Sequence, residues 1–81
     1  MKKDTKTLVN LKPGDKAIVA GVDGGFRLIK NLENLGIRPG VGVTVVSRHF
    51  MRGPVVVLVG NSRVAIGFGM AKKILIEPED E

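Results

Sequence analysis

The sequence predicts a mainly β domain, a small barrel of about five strands with one inserted amphipathic helix. Three observations predict it. Val, Ile and Leu dominate the apolar residues, with only three Phe and no Trp or Tyr. Eleven Gly and four Pro in 81 residues indicate many tight turns. One segment has helical periodicity, whereas the other apolar segments are short β-branched runs of the kind found in strands.

The first ordered element is a turn that leads into a strand. Residues 1–7 are polar, and we expect a flexible N-terminus there. In Lys12-Pro13-Gly14-Asp15, Pro13 presets φ at the second turn position, and Gly14 tolerates the positive φ that a type II turn needs at the third. Residues 16–22 follow with Ala, Ile and Val at their centre and are predicted to form the first strand.

Residues 26–35 change to a helical period. Their apolar side chains recur at steps of three and four residues: Leu28, Ile29, Leu32 and Leu35. Asp23 is a candidate N-cap. Gly36 stands where a helix adopts the left-handed conformation, and Ile37 follows it, which predicts a Schellman C-cap that folds Ile37 back toward Leu32.

The rest of the chain is predicted to be β structure. Arg38-Pro39-Gly40-Val41 repeats the first turn, a short match that we interpret as one turn sequence used twice and not as an internal repeat. Strands are expected at 41–48, 54–59, 63–66 and 74–76, with a hairpin turn at 60–62 and a bend or single helical turn at 67–71.

Rolling these strands into an SH3-like barrel, with the helix across one opening, removes the exposed sheet edges. The domain then spans residues 8–76, and 77–81 form an acidic tail. Residues 55–59 are apolar on both faces. They are either a strand buried at the centre of the barrel or an edge that pairs with a second copy and makes a homo-oligomer.

The charge distribution favours anionic partners. The net charge is +5, but Glu77, Glu79, Asp80 and Glu81 hold half of the acids, so residues 1–76 carry 13 basic and four acidic groups. A body with a net charge of +9 attracts nucleic acid, lipid headgroups or acidic protein surfaces. A merely soluble surface rich in Lys and Arg is the alternative.

Catalytic and cofactor motifs are missing from the sequence. Gly21, Gly24 and Gly25 match the spacing of neither a P-loop nor a dinucleotide fingerprint. His49 is the one His, there is no Cys, and residues 44–56 contain no acid. We therefore expect no enzyme activity, no metal site and no cofactor. With no apolar run after the basic start and none long enough to span a bilayer, we expect a cytoplasmic protein without direct membrane insertion.

Two segments are candidate partner-binding sites. The loop at 47–53 sets two apolar side chains between two arginines, and apolar groups at a loop tip often serve interfaces. The alternative is that Phe50 folds down and plugs one end of the barrel. The exposed flank of the helix is the second candidate. The predicted binding residues are Phe26, Arg27, Lys30, Arg48, Phe50, Met51 and Arg52.

A nucleic-acid-binding barrel is the alternative function. Pro13-Gly14-Asp15-Lys16 before a strand resembles the KOW element of ribosomal and transcription factors, and the basic body suits a polyanion. Binding of single strands usually relies on aromatic platforms along a basic groove, however, and Tyr and Trp are missing. Nucleic acid is therefore not the expected partner.

Over residues 8–76 the chain resembles the ferrous-iron transport protein A family (FeoA). The resemblance rests on the spacing of the two Pro-Gly turns around a helix and on the segment Leu-Gly-Ile-x-Pro-Gly that ends it: Pro13, Gly14, Leu35, Gly36, Ile37, Pro39 and Gly40. The same domain resembles the C-terminal SH3-like domain of iron-dependent repressors. The resemblance implies a cytoplasmic protein-interaction module that assists the membrane GTPase FeoB in ferrous iron uptake, held at the inner face of the membrane through that partner.

Overall fold

The computed structural model describes residues 6–49 and 52–78. Within these ranges, six strands and two helices follow one another, with a 3-10 helix at Leu8–Asn10 between the first two strands. In chain order they are β1 (Lys6–Thr7), β2 (Lys16–Val22), α1 (Phe26–Asn34), β3 (Gly42–Arg48), β4 (Val55–Val59), β5 (Ser62–Ile66), α2 (Phe68–Ala71) and β6 (Ile74–Pro78). The predicted fold class, mainly β with one inserted amphipathic helix, is confirmed.

All six strands belong to one antiparallel sheet in the order β1-β6-β2-β3-β4-β5. β4 therefore lies between β3 and β5 and is paired along both of its sides. Val55 and Val57 are buried on its inner face. Of the two interpretations of residues 55–59, the edge strand that pairs with a second copy is wrong. β4 is an interior strand that is buried on its inner face and exposed at Leu58 on the other.

A single core holds these elements together, because every long element contributes apolar side chains to it. In β2, β3 and β4 alternate residues point inward, as the period of a strand dictates. The 3-10 helix adds Leu8, α1 adds Leu32, and α2 adds Ala71. The buried apolar residues are Leu8, Leu11, Ala17, Val19, Leu32, Ile37, Val43, Val45, Val55, Val57, Ile66, Ala71, Ile74 and Ile76.

Helix α1 ends as its sequence predicts but begins differently. Gly36 has φ +91° and its N–H donates to the carbonyl of Glu33, while the N–H of Ile37 donates to the carbonyl of Leu32. These two bonds are the Schellman motif. The predicted N-cap, Asp23, is wrong, because Gly25 occupies that position without a side-chain cap. Asp23 lies two residues too early, and its N–H donates to the carbonyl of Lys73.

The two Pro-Gly turns have the same geometry. Gly14 and Gly40 have φ +95° and +93°, and each turn closes with a bond from its fourth to its first residue. Gly14 N–H donates to the carbonyl of Val45, and Gly40 N–H donates to the carbonyl of Val19, both at 2.8 Å. Equivalent residues of the two turns and of the strands that follow them lie 26 positions apart. Each turn therefore bonds to the same position of the strand that the other turn begins.

The sheet extends this internal symmetry. β2 and β3 pair with Lys16 opposite Thr44, Ala17 opposite Val43 and Ile18 opposite Gly42, so a local twofold axis passes through the Ala17–Val43 pair. The register of β2 against β6 shifts between Val19 and Gly21, and that of β3 against β4 shifts between Val45 and Ser47, again 26 residues apart. What the sequence indicated as one turn used twice is a symmetric pair of turn-and-strand units.

Three smaller features refine the prediction. β1 was not predicted. The sheet extends from residue 6 in β1 to residue 78 in β6, two residues beyond each end of the predicted domain, 8–76. The segment at 67–71 contains a helical turn, α2. The β4–β5 hairpin turns at Gly60 and Asn61, with positive φ at Gly60.

Candidate partner-binding surface

The first candidate surface is the outer flank of α1, made of Phe26, Arg27 and Lys30. Leu32 of the same helix is fully buried and Leu28 is half-buried against the core. At 100° per residue, Phe26 points away from the direction of Leu28 and Leu32. It is 78% exposed, and Arg27 and Lys30 are exposed beside it. Phe26, Arg27 and Lys30 are hereafter called the α1 surface.

An exposed phenyl ring on the polar side of a helix does not contribute to the packing of the core. Fully covering a Phe side chain is worth roughly 1.5–3 kcal/mol, and most of that is still available at Phe26. Lys30 lies one helical turn further along the same face, so a cation borders the ring. An apolar anchor with adjacent cations is a chemistry suited to docking on an acidic protein surface that contains an apolar cleft.

The second candidate, the β3–β4 loop, is described at its two ends, and Phe50 and Met51 lie outside the described residues. Arg48 ends β3, is exposed, and donates from Nη1 to the carbonyl of Leu11 at 3.2 Å. Arg52 is exposed and has φ +69°. The alternatives of an exposed or a plugging Phe50 therefore stay predictions.

The ends of that loop are held together locally. The N–H of His49 donates to the carbonyl of Pro54 at 3.2 Å. A Cβ on Gly53 would overlap Cβ and Cγ of His49, so the side chain of His49 packs against that glycine. His49 is exposed. Within residues 6–49 and 52–78, no three or more His, Cys, Asp or Glu side chains form a group that could hold a metal ion.

Among the described residues, Arg48 and the α1 surface lie at opposite ends of β2. Arg48 lies beside Leu11, which precedes β2, whereas Phe26 follows the opposite end of β2. A strand of seven residues spans about 20 Å. A partner that contacts both Arg48 and the α1 surface must therefore cover the length of β2.

A third feature was missed by the sequence analysis. A shallow pocket of about 520 Å³ lies around the first turn, with Lys6, Lys12 and Lys16 in its lining. The excess of basic residues in the first part of the chain was a signal for it. The positions of these lysines around one pocket depend on β1 joining β6 and β6 joining β2, which the spacing in the sequence does not show.

The fold and these surfaces define the class of the molecule, a small SH3-like β-barrel with an inserted helix. The family model described as FeoA domain matches residues 6–78. The chain belongs to the FeoA family. The expectation drawn from the Pro-Gly turns and the Leu-Gly-Ile-x-Pro-Gly segment is confirmed.

Similar proteins agree with this assignment. A protein of Methanocaldococcus jannaschii, named as a proposed Fe(2+) transport protein A, is 35% identical over 66 residues, which cover 82% of this chain and 78% of that protein. The crystal structure of an iron uptake regulatory protein (FeoA) is 31% identical, covers 95% of this chain and 100% of its own, and has a TM-score of 0.83. A manganese-dependent transcriptional repressor has a TM-score of 0.85 at 20% identity, over 96% of this chain and 43% of the repressor. This last likeness shows that the fold is shared.

Among the described residues, neither helix has the length and the apolar character needed to cross a bilayer.

Proposed function

We propose that this protein is a non-catalytic accessory factor of ferrous iron uptake that acts by docking on the cytoplasmic portion of a FeoB-type membrane GTPase transporter. Membership of the FeoA family supports the link to iron uptake. So do the names of two relatives, one for Fe(2+) transport and one for regulation of iron uptake. In this proposal the protein works in the cytoplasm and reaches the inner face of the membrane through its partner.

The observation that carries the docking proposal is the exposure of Phe26. Phe26 is 78% exposed at the first residue of α1, on the side of the helix away from the buried Leu32. Arg27 and Lys30 add positive charge, which speeds the encounter with an acidic partner, while the ring holds the complex once formed. Helix α1, which carries this surface, is anchored by Leu32 in the core and closed at its C-terminus by the Schellman cap.

The test is a calorimetric titration of the protein into the isolated cytoplasmic domain of a FeoB-type transporter. Phe26→Ala removes the proposed anchor, and Leu58→Ala is the matched control because Leu58 is also apolar and exposed but lies on β4. Phe26→Ala is expected to lose roughly 1.5–2 kcal/mol of binding free energy, which weakens binding about tenfold to thirtyfold. The control is expected to bind within twofold of the wild-type protein. Equal affinities for the two variants would remove the α1 surface from the interface.

Two further arms separate the remaining alternatives. A Phe50→Ala, Met51→Ala variant tests the β3–β4 loop, and a loss confined to that variant assigns docking to the loop instead of α1. Titration with single-stranded RNA at two salt concentrations tests the nucleic-acid alternative. Steeply salt-dependent RNA binding, together with none to the transporter domain, would overturn the proposed function.

A further inference from the structure

The sheet has two edge strands, and only one of them is long. β1, at one edge, has two residues, whereas β5, at the other edge, has five. One side of β5 pairs with β4 over its whole length and without a bulge. Among the residues that the structure describes, no backbone group bonds to the other side of β5. An open edge of this length is a template for one more strand.

The turn of the β4–β5 hairpin determines which backbone groups face that open side. Val59 and Ser62 flank the two-residue turn, and the residues of such a pair bond to each other. Bonded and non-bonded pairs alternate along an antiparallel ladder, so every second residue from Ser62 bonds toward β4. The N–H and C=O groups of Arg63 and Ala65 therefore point away from β4. These two donors and two acceptors are the groups to which an added antiparallel strand bonds.

The side chains of β5 define the pattern of the strand that fits beside it. Ile66 is fully buried and Val64 is half-buried against the core, whereas Arg63 and Ala65 are exposed on the outer face. Residues opposite each other on one face of a sheet interact directly. A side chain opposite Val64 therefore covers the apolar surface that is still exposed there, and a side chain opposite Arg63 meets a guanidinium. The fitting strand alternates apolar residues with residues that attract a cation.

The charge distribution selects an acidic strand from another protein and disfavours a second copy of this chain. Residues 34–76, which include β3, β4, β5 and α2, contain six Lys or Arg and no Asp or Glu. An acid opposite Arg63 gains a cross-strand ion pair, and its approach is favoured by the surrounding positive charge. A second copy instead brings another Arg63 and another segment without acids to the same edge, so like charges face each other.

We propose that the open edge of β5 binds an extended acidic segment of a partner protein as an added antiparallel strand. In that segment, apolar residues alternate with Asp or Glu. The backbone groups of Arg63 and Ala65 hold its main chain, Val64 contacts its apolar side chains, and the guanidinium of Arg63 selects its acids. The site uses neither the α1 surface nor the β3–β4 loop, so its test is independent of the proposed docking on a transporter.

The experiment is a nuclear magnetic resonance titration of the isotope-labelled protein with the end-blocked peptide Thr-Val-Glu-Val-Glu-Val-Thr. The amide signals of Arg63 and Ala65 are expected to shift, and their hydrogen exchange is expected to slow, because both N–H groups gain a partner. The same peptide with Lys in place of Glu is the matched control ligand. It is expected to bind about tenfold more weakly, because a cation replaces the acid opposite Arg63.

Two pairs of variants separate the backbone contribution from the charge. Ala65→Pro removes one outward N–H without removing a bond to β4 and is expected to weaken binding of the acidic peptide about tenfold. Its control, Ala65→Thr, keeps the N–H and is expected to bind within about twofold of the wild-type protein. Arg63→Glu is expected to weaken binding about tenfold, and Arg38→Glu, the same charge change at an exposed residue of the second Pro-Gly turn, less than about threefold.

A thermal melt checks that each variant is folded, and the Arg63 and Arg38 variants decide the question if Ala65→Pro does not fold. Wild-type affinity in a folded Ala65→Pro variant would place the peptide elsewhere and overturn the proposal. Equal losses for Arg63→Glu and Arg38→Glu would also overturn it, because the peptide then follows the general charge of the protein. Sedimentation tests the other occupant: a dimer that dissociates in Ala65→Pro would assign the edge to a second copy.

Discussion

Replacing Gly36 with Ala isolates the energetic contribution of the left-handed C-cap of α1. Gly36 has φ +91°, a conformation that glycine adopts without penalty and that costs an L-residue roughly 1–2 kcal/mol. Crowding adds nothing, because a Cβ at this position would meet Cγ1 of Val59 at 3.5 Å, an ordinary van der Waals contact. The cost of Gly36→Ala is therefore almost entirely that of the backbone conformation.

The matched control is Gly21→Ala in β2, where an added Cβ meets no atom within 4 Å and φ is not positive. Both substitutions restrict the unfolded chain equally, which favours folding by about 0.4–1 kcal/mol. We expect Gly36→Ala to lose about 1 kcal/mol of unfolding free energy and Gly21→Ala to lose none. Gly36→Asn is expected to fall between them, because Asn tolerates the left-handed region better than Ala.

Urea unfolding followed by circular dichroism measures these differences. A domain of this length is stable by about 4–12 kcal/mol, so a loss of about 1 kcal/mol moves the midpoint by about 0.5–1 M. An unchanged slope shows that the compactness of the unfolded state is the same. Coincident midpoints for Gly36→Ala and Gly21→Ala would refute the argument that the Schellman geometry requires glycine.

Two further substitutions test the packing of the helices. Leu32→Ala removes the one side chain that α1 buries completely. The cavity is expected to lower the free energy of unfolding, measured in urea, by about 2.7–5 kcal/mol. A loss below about 1 kcal/mol would mean that α1 does not anchor in the core. Gly69→Ala lies in α2, where a Cβ meets no atom within 4 Å, so we expect a gain of about 0.4–1 kcal/mol and a higher melting temperature in calorimetry; a lower melting temperature would contradict the open space assigned to this position.

Local sequence was enough to predict the elements whose cause is local. The helix period, the Gly at the end of α1 and both Pro-Gly turns each depend on a few adjacent residues, and all appear in the structure. β1 was missed because Lys6 and Thr7 have no apolar pattern and become a strand only by pairing with Ile76 and Leu75 of β6. The N-cap was misplaced because Asp is a good capping residue in general, while the helix starts after Gly25.

The candidate sites also differ in whether local sequence or strand pairing determines them. Exposure of Phe26 follows from its place in the helical period, and the sequence analysis selected it for the composition of the helix flank. The basic pocket required the order of the strands, since Lys6 and Lys16 come to one opening only because β6 inserts between their strands. Placement of the loop was also non-local: Arg48 is turned toward Leu11, 37 residues earlier in the chain.

The local twofold axis between β2 and β3 has a consequence for how this fold tolerates change. When two identical chains meet at such an axis, the residue on the axis faces its own copy. Two side chains of the same size then have to share that space, whether both are large or both are small. Here the facing pair is Ala17 and Val43, one small and one larger, and both are buried. By joining the two units through α1 in one polypeptide, the protein varies one member of the pair without the other, a freedom that a symmetric dimer lacks.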